Sequence, residues 1–180
     1  MKHEFERLYE TYHHALFQFL FYMVRNRQVA EELVQEVYIK VLNSYSSFKG
    51  DSSEKTWLYS IARHVGIDWI RSQNRKKRKF LGVFELSEKE YQIKDEDPLP
   101  EEIVEEREEM KQVYDALRKC TLDQQQVIIL RYIESLSISE TATILGWSES
   151  KVKTTQHRAI KALKELLNVN EQSELKEVGK

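Results

Sequence analysis

Between positions 150 and 161 one short segment gathers two hydroxyls, an imidazole, a guanidinium and three ammonium groups: Ser150, Thr154, His157, Arg158, Lys151, Lys153 and Lys161. Hydroxyls and a guanidinium near a helix start can reach base edges in a DNA major groove, while lysines meet the phosphates. Glu149 is the single acid beside them. A solvated basic helix face is the plain alternative for this segment. A second basic run, Arg71, Arg75, Lys76, Lys77, Arg78 and Lys79, has Asp68 as its nearby acid and suits duplex or forked DNA phosphate. Ahead of it, Phe48 is an aromatic residue in a Ser-rich stretch, NSYSSFKGDSSEK, where no amphipathic pattern requires one. Glu32, Gln35 and Glu36 form a separate polar group. No phosphate-cradling glycine loop, Cys/His metal spacing or nucleophile–base pair occurs in the sequence. The pattern points to a binding protein that needs no metal or other cofactor, and not to an enzyme.

The elements that must position these groups are helical. From Leu136 to Leu167 two helical patterns are separated by a short break at Gly146-Trp147. Ser137 and Glu140 have capping-box spacing, Gly146 can take the left-handed conformation that stops a helix, and Ser148 offers the next N-cap. This predicts a helix-turn-helix whose second helix packs Val152, Ala159, Leu163 and Leu166/Leu167 inward. Upstream, Thr121 with Gln124 repeats the capping-box spacing after a helix at about 104–119.

The first half predicts three helices. Residues 2–25 carry an apolar stripe of Phe5, Leu8, Tyr9, Tyr12, Leu16, Phe19, Leu20 and Met23. Residues 28–44 place Leu33, Val34, Val37, Val41 and Leu42 inward. Residues 54–75 do the same with Leu58, Ile61, Ala62, Val65 and Trp69, leaving Tyr59 and Arg63 further out. Trp57 is read as core or core edge. His13 and His14 are adjacent, point about 100° apart on a helix, and are read as edge residues rather than a metal pair. Residues 80–103 turn acidic and hold both prolines, which reads as a flexible linker. Such a stretch has a root-mean-square span of about 25–30 Å and could extend to ~80 Å, more than two helical turns of DNA. The end, NEQSELKEVGK, is polar and is expected to fray.

Composition agrees with this reading. With 5 Gly and 2 Pro in 180 residues a many-turned β fold is disfavoured, and 32% charged residues suit short amphipathic helices. The formal charge of -2 is not that of a nucleic-acid binder, but the charge is segregated along the chain and local sign governs a partner. Cys120 stands alone, so no internal disulfide can form and a reducing, cytoplasmic setting is expected. No apolar run is long enough to insert in a membrane, and the N-terminus is unlike a signal peptide.

Leu136, Ser137, Glu140, Ala142, Leu145, Gly146, Ser148, Val152, Lys153, Arg158, Ala159 and Leu163 match a pattern of region 4 of bacterial sigma-70 factors, of the extracytoplasmic-function (ECF) group. Leu130-Arg131-Tyr132 resembles the "LRY" of the same region. In the first half, Glu31 to Glu36 resembles the "DLVQE" core of region 2.2. Phe48, Lys49, Gly50 and Asp51 match F-[RK]-G-[DE], and Thr56 to Arg63 matches TWLY-x-IAR. The segments QFLFYMV, SSEKTWL and SESKVKTTQHR resemble the sigma-X-like subgroup of Gram-positive bacteria.

The resemblance implies an all-α protein of two small helical domains, region 2 (1–79) and region 4 (104–168), joined by the acidic linker (80–103) and followed by a tail (169–180). It implies that Glu32, Gln35, Glu36 and Tyr38 meet the β′ clamp helices of core RNA polymerase, and that region 4 meets the β flap. It assigns the promoter −10 element to Phe48, Lys49, Gly50, Asp51, Tyr59, Arg63, His64, Arg71, Arg75 and Lys76, with a flipped base held at the Phe48 loop. His64 stands where the family often has Asn. It assigns the −35 element to Ser150, Lys151, Lys153, Thr154, His157, Arg158 and Lys161. An anti-sigma factor is a further expected partner. Two other readings stay open at this point. One is a polymerase-independent regulator with the same C-terminal module, as in LuxR-type activators, although residues 1–79 resemble neither a sensing nor a dimer domain. The other is a helical interaction protein.

Overall fold

The computed structural model describes residues 2–81 and 108–178, and every regular element among them is helical. Helix α1 (Lys2–Val24) stops where Arg25 takes a left-handed φ of 54°, its amide still bonded to the Phe21 carbonyl at 2.7 Å. The Asn26 side chain then accepts from the Val29 amide at 2.9 Å and caps α2 (Arg27–Ser44), so the chain reverses within two residues. A 3-10 turn (Tyr45–Ser47) and a short loop with Gly50 at φ 76° lead to α3 (Glu54–Leu81).

These three helices close on one another through the predicted stripes. Leu16, Phe19, Leu20 and Met23 of α1 are buried with Leu33, Val34, Val37 and Val41 of α2 and Leu58, Ala62 and Val65 of α3. Each such aliphatic side chain removed from water is worth about 1.5–3 kcal/mol, which is what holds short helices together. Gly66 lets α1 and α3 approach closely: a Cβ there would lie 2.8 Å from the Met23 methyl. Two members of the predicted stripes face out instead. Tyr9 is 43% and Leu42 52% exposed, each at the edge of its apolar arc.

The second module starts with α4 (Glu108–Arg118) and α5 (Leu122–Ile128), the latter opened by the predicted Thr121–Gln124 capping box. Helix α5 runs on into a π-helical turn, Ile129–Ile133, closed by the Glu134 amide on the Ile129 carbonyl at 2.9 Å. Ser135 at φ 56° redirects the chain, and the Ser137–Glu140 capping box opens α6 (Ile138–Leu145). Gly146 ends α6 at φ 65°, ψ 35°, and α7 (Glu149–Val178) follows. Val127, Ile129, Leu130, Ile144, Leu145, Val152, Ala159 and Leu163 fill this module's interior. Where fraying was expected, α7 continues as a helix to Val178.

The two modules share one continuous apolar cluster. Tyr22 of α1 stacks on Tyr114 of α4 with centroids 5.1 Å apart, and Arg25 donates to the Arg118 carbonyl. Helix α3 lies along α6. Helix α3 passes two residues beyond the expected start of the linker, because the basic run continues the helix through Leu81. The rest of that expected linker lies outside the described residues.

Candidate nucleic-acid interface

Three surfaces emerge from this arrangement. The first is the outer face of α7. The Ser148 hydroxyl accepts from the Lys151 amide at 3.2 Å, so the predicted N-cap forms and Glu149 sits in the first turn, where the helix dipole favours an acid. Val152 and Ala159 are fully buried and seat the helix, which turns Ser150, Lys151, Lys153, Thr154, His157, Arg158 and Lys161 to solvent. All seven side chains singled out in the sequence therefore lie exposed along one stretch of helix. The Thr154 hydroxyl donates back to the Ser150 carbonyl at 3.0 Å, which leaves its oxygen lone pairs for an outside donor.

Two residues the sequence reading did not assign hold this helix in place. Trp147 lies under Lys151, whose Nζ is 3.7 Å from the ring centroid and 4.0 Å from Asp123 on α5. Lys151 is thereby drawn toward the turn. Arg131 donates through Nε to Gln156 at 3.0 Å and through Nη1 to the Leu136 carbonyl, linking the π-helical turn, the approach to α6 and the inner side of α7. The Trp-x-x-x-Lys spacing across the turn was a legible signal for the first pair; nothing local announces the second.

The second surface is the loop before α3. The Ser53 hydroxyl accepts from the Thr56 amide at 3.1 Å and starts the helix. Phe48 is half-buried and tilted over Trp57 at 4.8 Å between centroids, while Lys49, Gly50 and Asp51 stand exposed around it. Trp57 is half-buried, as a core-edge residue should be. An aromatic pair rimmed by a cation, an open backbone and a carboxylate can stack an unpaired base and bond its edge. Further along α3, His64 is exposed, and its Nδ1 lies 2.6 Å from the Ser60 carbonyl. A carbonyl only accepts, so that nitrogen carries hydrogen and Nε2 is turned outward. Arg71, Arg75 and Lys76 are exposed on the last turns.

Two assignments on α3 need correction. Tyr59 does not lie outward: it is fully buried, edge-on to Phe19 at 5.3 Å. Burial first, then the neighbouring Glu134 charge, pushes its phenol above the ordinary range. Arg63 is half-buried, with Nε donating to Gln126 of α5 at 3.2 Å. Burial lowers its pKa, with Asp123 opposing that effect.

The third surface is the outer face of α2. Glu32, Gln35 and Glu36 are exposed there beside Ile39, 59% exposed, and Leu42. Lys40 reaches Glu36 at 3.5 Å and Gln28 reaches Glu32 at 3.3 Å, so this acidic and apolar strip is braced along its own helix. Tyr38 does not belong to it. It is 5% exposed, packs edge-on to Phe5 at 5.6 Å, and burial raises its pKa. His13 stacks on Tyr9 at 4.4 Å, and burial, followed by His14, lowers its pKa. Cys120 is buried, which raises its thiol, and no cluster of metal-ligating side chains occurs among the described residues. No described helix is long and apolar enough to cross a membrane.

Comparison with known proteins finds relatives of the chain as a whole. The family model for Sigma-70 region 2 matches residues 8–76, and that for Sigma-70, region 4 matches residues 110–163. The ECF RNA polymerase sigma factor SigX of Bacillus subtilis is 53% identical over 91% of this chain and 84% of its own. The RNA polymerase sigma factor YlaC of the same organism is 36% identical over 97% and 99%. Among solved structures, the sigma factor RpoE in complex with the anti-sigma factor NepR, from Bartonella quintana, superposes with a TM-score of 0.72 at 26% identity, covering 92% of this chain and 98% of that one. CnrH in complex with the cytosolic domain of CnrY shares the fold at a TM-score of 0.67, with 20% identity over 94% and 90%.

Proposed function

The chain belongs to the sigma-70 family, in its ECF group, and from that premise we propose how its surfaces divide the work of starting transcription. It directs core RNA polymerase to chosen promoters. The α2 strip of Glu32, Gln35 and Glu36, with Ile39 and Leu42, docks on the polymerase: apolar contact supplies affinity, and the carboxylates select a basic partner. The α7 face reads the −35 duplex, with Arg158 and Thr154 at base edges and Lys153 and Lys161 at phosphates. The Phe48–Trp57 pair holds an unpaired base of the opened −10 strand, with Lys49, Gly50, Asp51 and His64 around it. Arg71, Arg75 and Lys76 carry the adjoining phosphates.

The observation that carries this reading is the exposure of all seven α7 side chains on a helix whose turn, caps and buried face are all in place. The protein forms no covalent intermediate of its own: it supplies binding and strand selection to the polymerase's chemistry. It works in the cytoplasm, answers an envelope or stress signal, and is restrained by an anti-sigma factor, as the similar RpoE structure is of a sigma factor in complex with one. In vitro transcription with purified core polymerase over a randomised promoter library tests the proposal. New start sites sharing −10 and −35 elements are expected. Initiation only where core enzyme starts alone would overturn it.

A further inference from the structure

Among the cations on the exposed face of α7, Lys151 already has an anion. Its Nζ lies 4.0 Å from the Asp123 carboxylate and 3.7 Å from the centroid of the Trp147 ring. Lys153, Arg158 and Lys161 hold no ion pair among the described residues. All three partners of this contact stand on fixed backbone. The Trp147 amide donates to the Ala142 carbonyl at 3.0 Å across the Gly146 stop, and the Lys151 amide is held by the Ser148 cap. Asp123 lies in the first turn of α5, behind the Thr121 cap. The two contacts differ in strength. At 3.7 Å the ammonium is seated on the ring, well inside the ~6 Å reach of such contacts. The Asp123 pair is at the outer limit of an ion pair, and its side chains are 51% and 54% exposed, so water and salt screen it. The acid is the partner that gives way, and the ring is the one that stays.

We propose that Trp147 is a positioning residue for the −35 duplex and that Asp123 keeps the place of a DNA phosphate at Lys151. On docking, a backbone phosphate takes Lys151 from Asp123 while the ammonium stays on the indole face. This rests on the reading of α7 as the −35 face and adds to it two residues outside that helix. A lysine side chain free in water must be ordered as it meets a phosphate, and the ring has done part of that ordering beforehand. Asp123 works the other way. The duplex must displace it, so affinity is lowered according to the fraction of chain in which the pair is made. A phosphate contact carries no sequence information. Both residues therefore set how tightly every duplex is held, and neither sets which bases are preferred.

The test titrates holoenzyme, assembled from core polymerase and the full chain, with a fluorescein-labelled, fully paired promoter duplex and with the same duplex scrambled at −35, across a range of salt. Lys151→Met should weaken both duplexes alike and reduce the magnitude of the slope of log affinity against log salt by about 0.9. Asp123→Asn should tighten both about threefold at low salt, a gain that fades as salt rises. Trp147→Leu, apolar but without a ring face, should weaken both about threefold, and Trp147→Phe should recover most of that loss. In a Lys151→Met background neither Asp123→Asn nor Trp147→Leu should change affinity further, which also separates the pair from the pull of Asp123 on Arg63. A Trp147→Leu loss that persists in that background would mean that the indole acts through packing and would overturn the proposal. So would Asp123→Asn binding no tighter than the unchanged chain, or a Lys151→Met salt slope that does not move. If the unchanged holoenzyme holds both duplexes equally, the reading of α7 fails and takes the proposal with it. If it prefers the intact −35 element while the Lys151, Asp123 and Trp147 variants are silent, the proposal alone fails.

Discussion

Arg131 reaches across from the π-helical turn to the inner side of α7, where its Nε donates to Gln156 at 3.0 Å and its Nη1 to the carbonyl of Leu136. The guanidinium is half-buried, so both bonds are charge-assisted in surroundings that screen them poorly. Removing it leaves two acceptors short of a donor and frees the angle of α7. Arg131→Met should cost about 1.5–3 kcal/mol of stability. It should also weaken −35 duplex binding by more than Gln156→Ala does, since Gln156→Ala leaves the Leu136 bond intact. Urea unfolding and anisotropy on one duplex measure the two effects. Equal duplex affinity for both variants would show that Arg131 does not set the helix angle.

Arg158 is exposed on α7, so its loss should leave stability unchanged within about 0.5 kcal/mol. If it makes a bidentate contact to guanine, Arg158→Ala should weaken the preferred −35 sequence by about 1–3 kcal/mol and relax discrimination there. Lys161→Ala should instead weaken all duplexes alike and reduce the slope of affinity against salt. A panel of single-base −35 variants separates the two. A uniform loss for Arg158→Ala would reassign it to phosphate.

The parts of the fold that were legible in the sequence are those fixed by neighbours in the chain. The Thr121–Gln124 and Ser137–Glu140 boxes and the Gly146 stop each form within a few residues, and each appears where its spacing placed it. Tyr59 and Arg63 were misread because what covers them comes from far along the chain. Gln126 lies 63 residues beyond Arg63, and no periodicity within α3 announces a second layer there. Tyr38 failed for a related reason: its helix position borders the polar strip, but Phe5 and Tyr9 of α1 roof it over. The exposed face of α7 was legible because solvent, not a distant element, is what it meets.

On α2, Gln35 and Glu36 are exposed and hold no part of the core. Gln35→Ala and Glu36→Lys should therefore melt with the unchanged chain yet pull down less core polymerase, with the charge reversal the more severe. Tyr38→Phe, beneath that strip, should assemble normally. A loss of assembly with Tyr38→Phe as large as with Glu36→Lys would mean that the phenol reaches the partner after all.

Phe48 tilts over Trp57 in contact distance while its loop stays open on the other side. Phe48→Ala should lower holoenzyme affinity for a premelted promoter by about 1–3 kcal/mol, the worth of stacking one base. Closed −35 duplex binding should be untouched. Equal losses on premelted and fully paired promoters would place Phe48 in packing alone.

Glu140 carries both a local and a distant duty, and pH should reveal them together. Its carboxylate accepts from the Ser137 amide at 2.8 Å and from the Thr56 hydroxyl at 3.4 Å. The Ser137 backbone bond is the largest influence, the Ser137 side chain the next, and they hold Glu140 below the ordinary 4.5 against a small opposing effect of burial. A carboxylate depressed on folding adds stability above its unfolded value, and that stability is lost as pH falls through the folded value. The unchanged chain should thus lose stability on acidification below about 4.5, and Glu140→Gln, which keeps an acceptor for the cap but has no proton to gain, should lose less over the same window. Parallel stability curves for the two proteins from neutral pH to below this window would show that Glu140 is not held by these bonds.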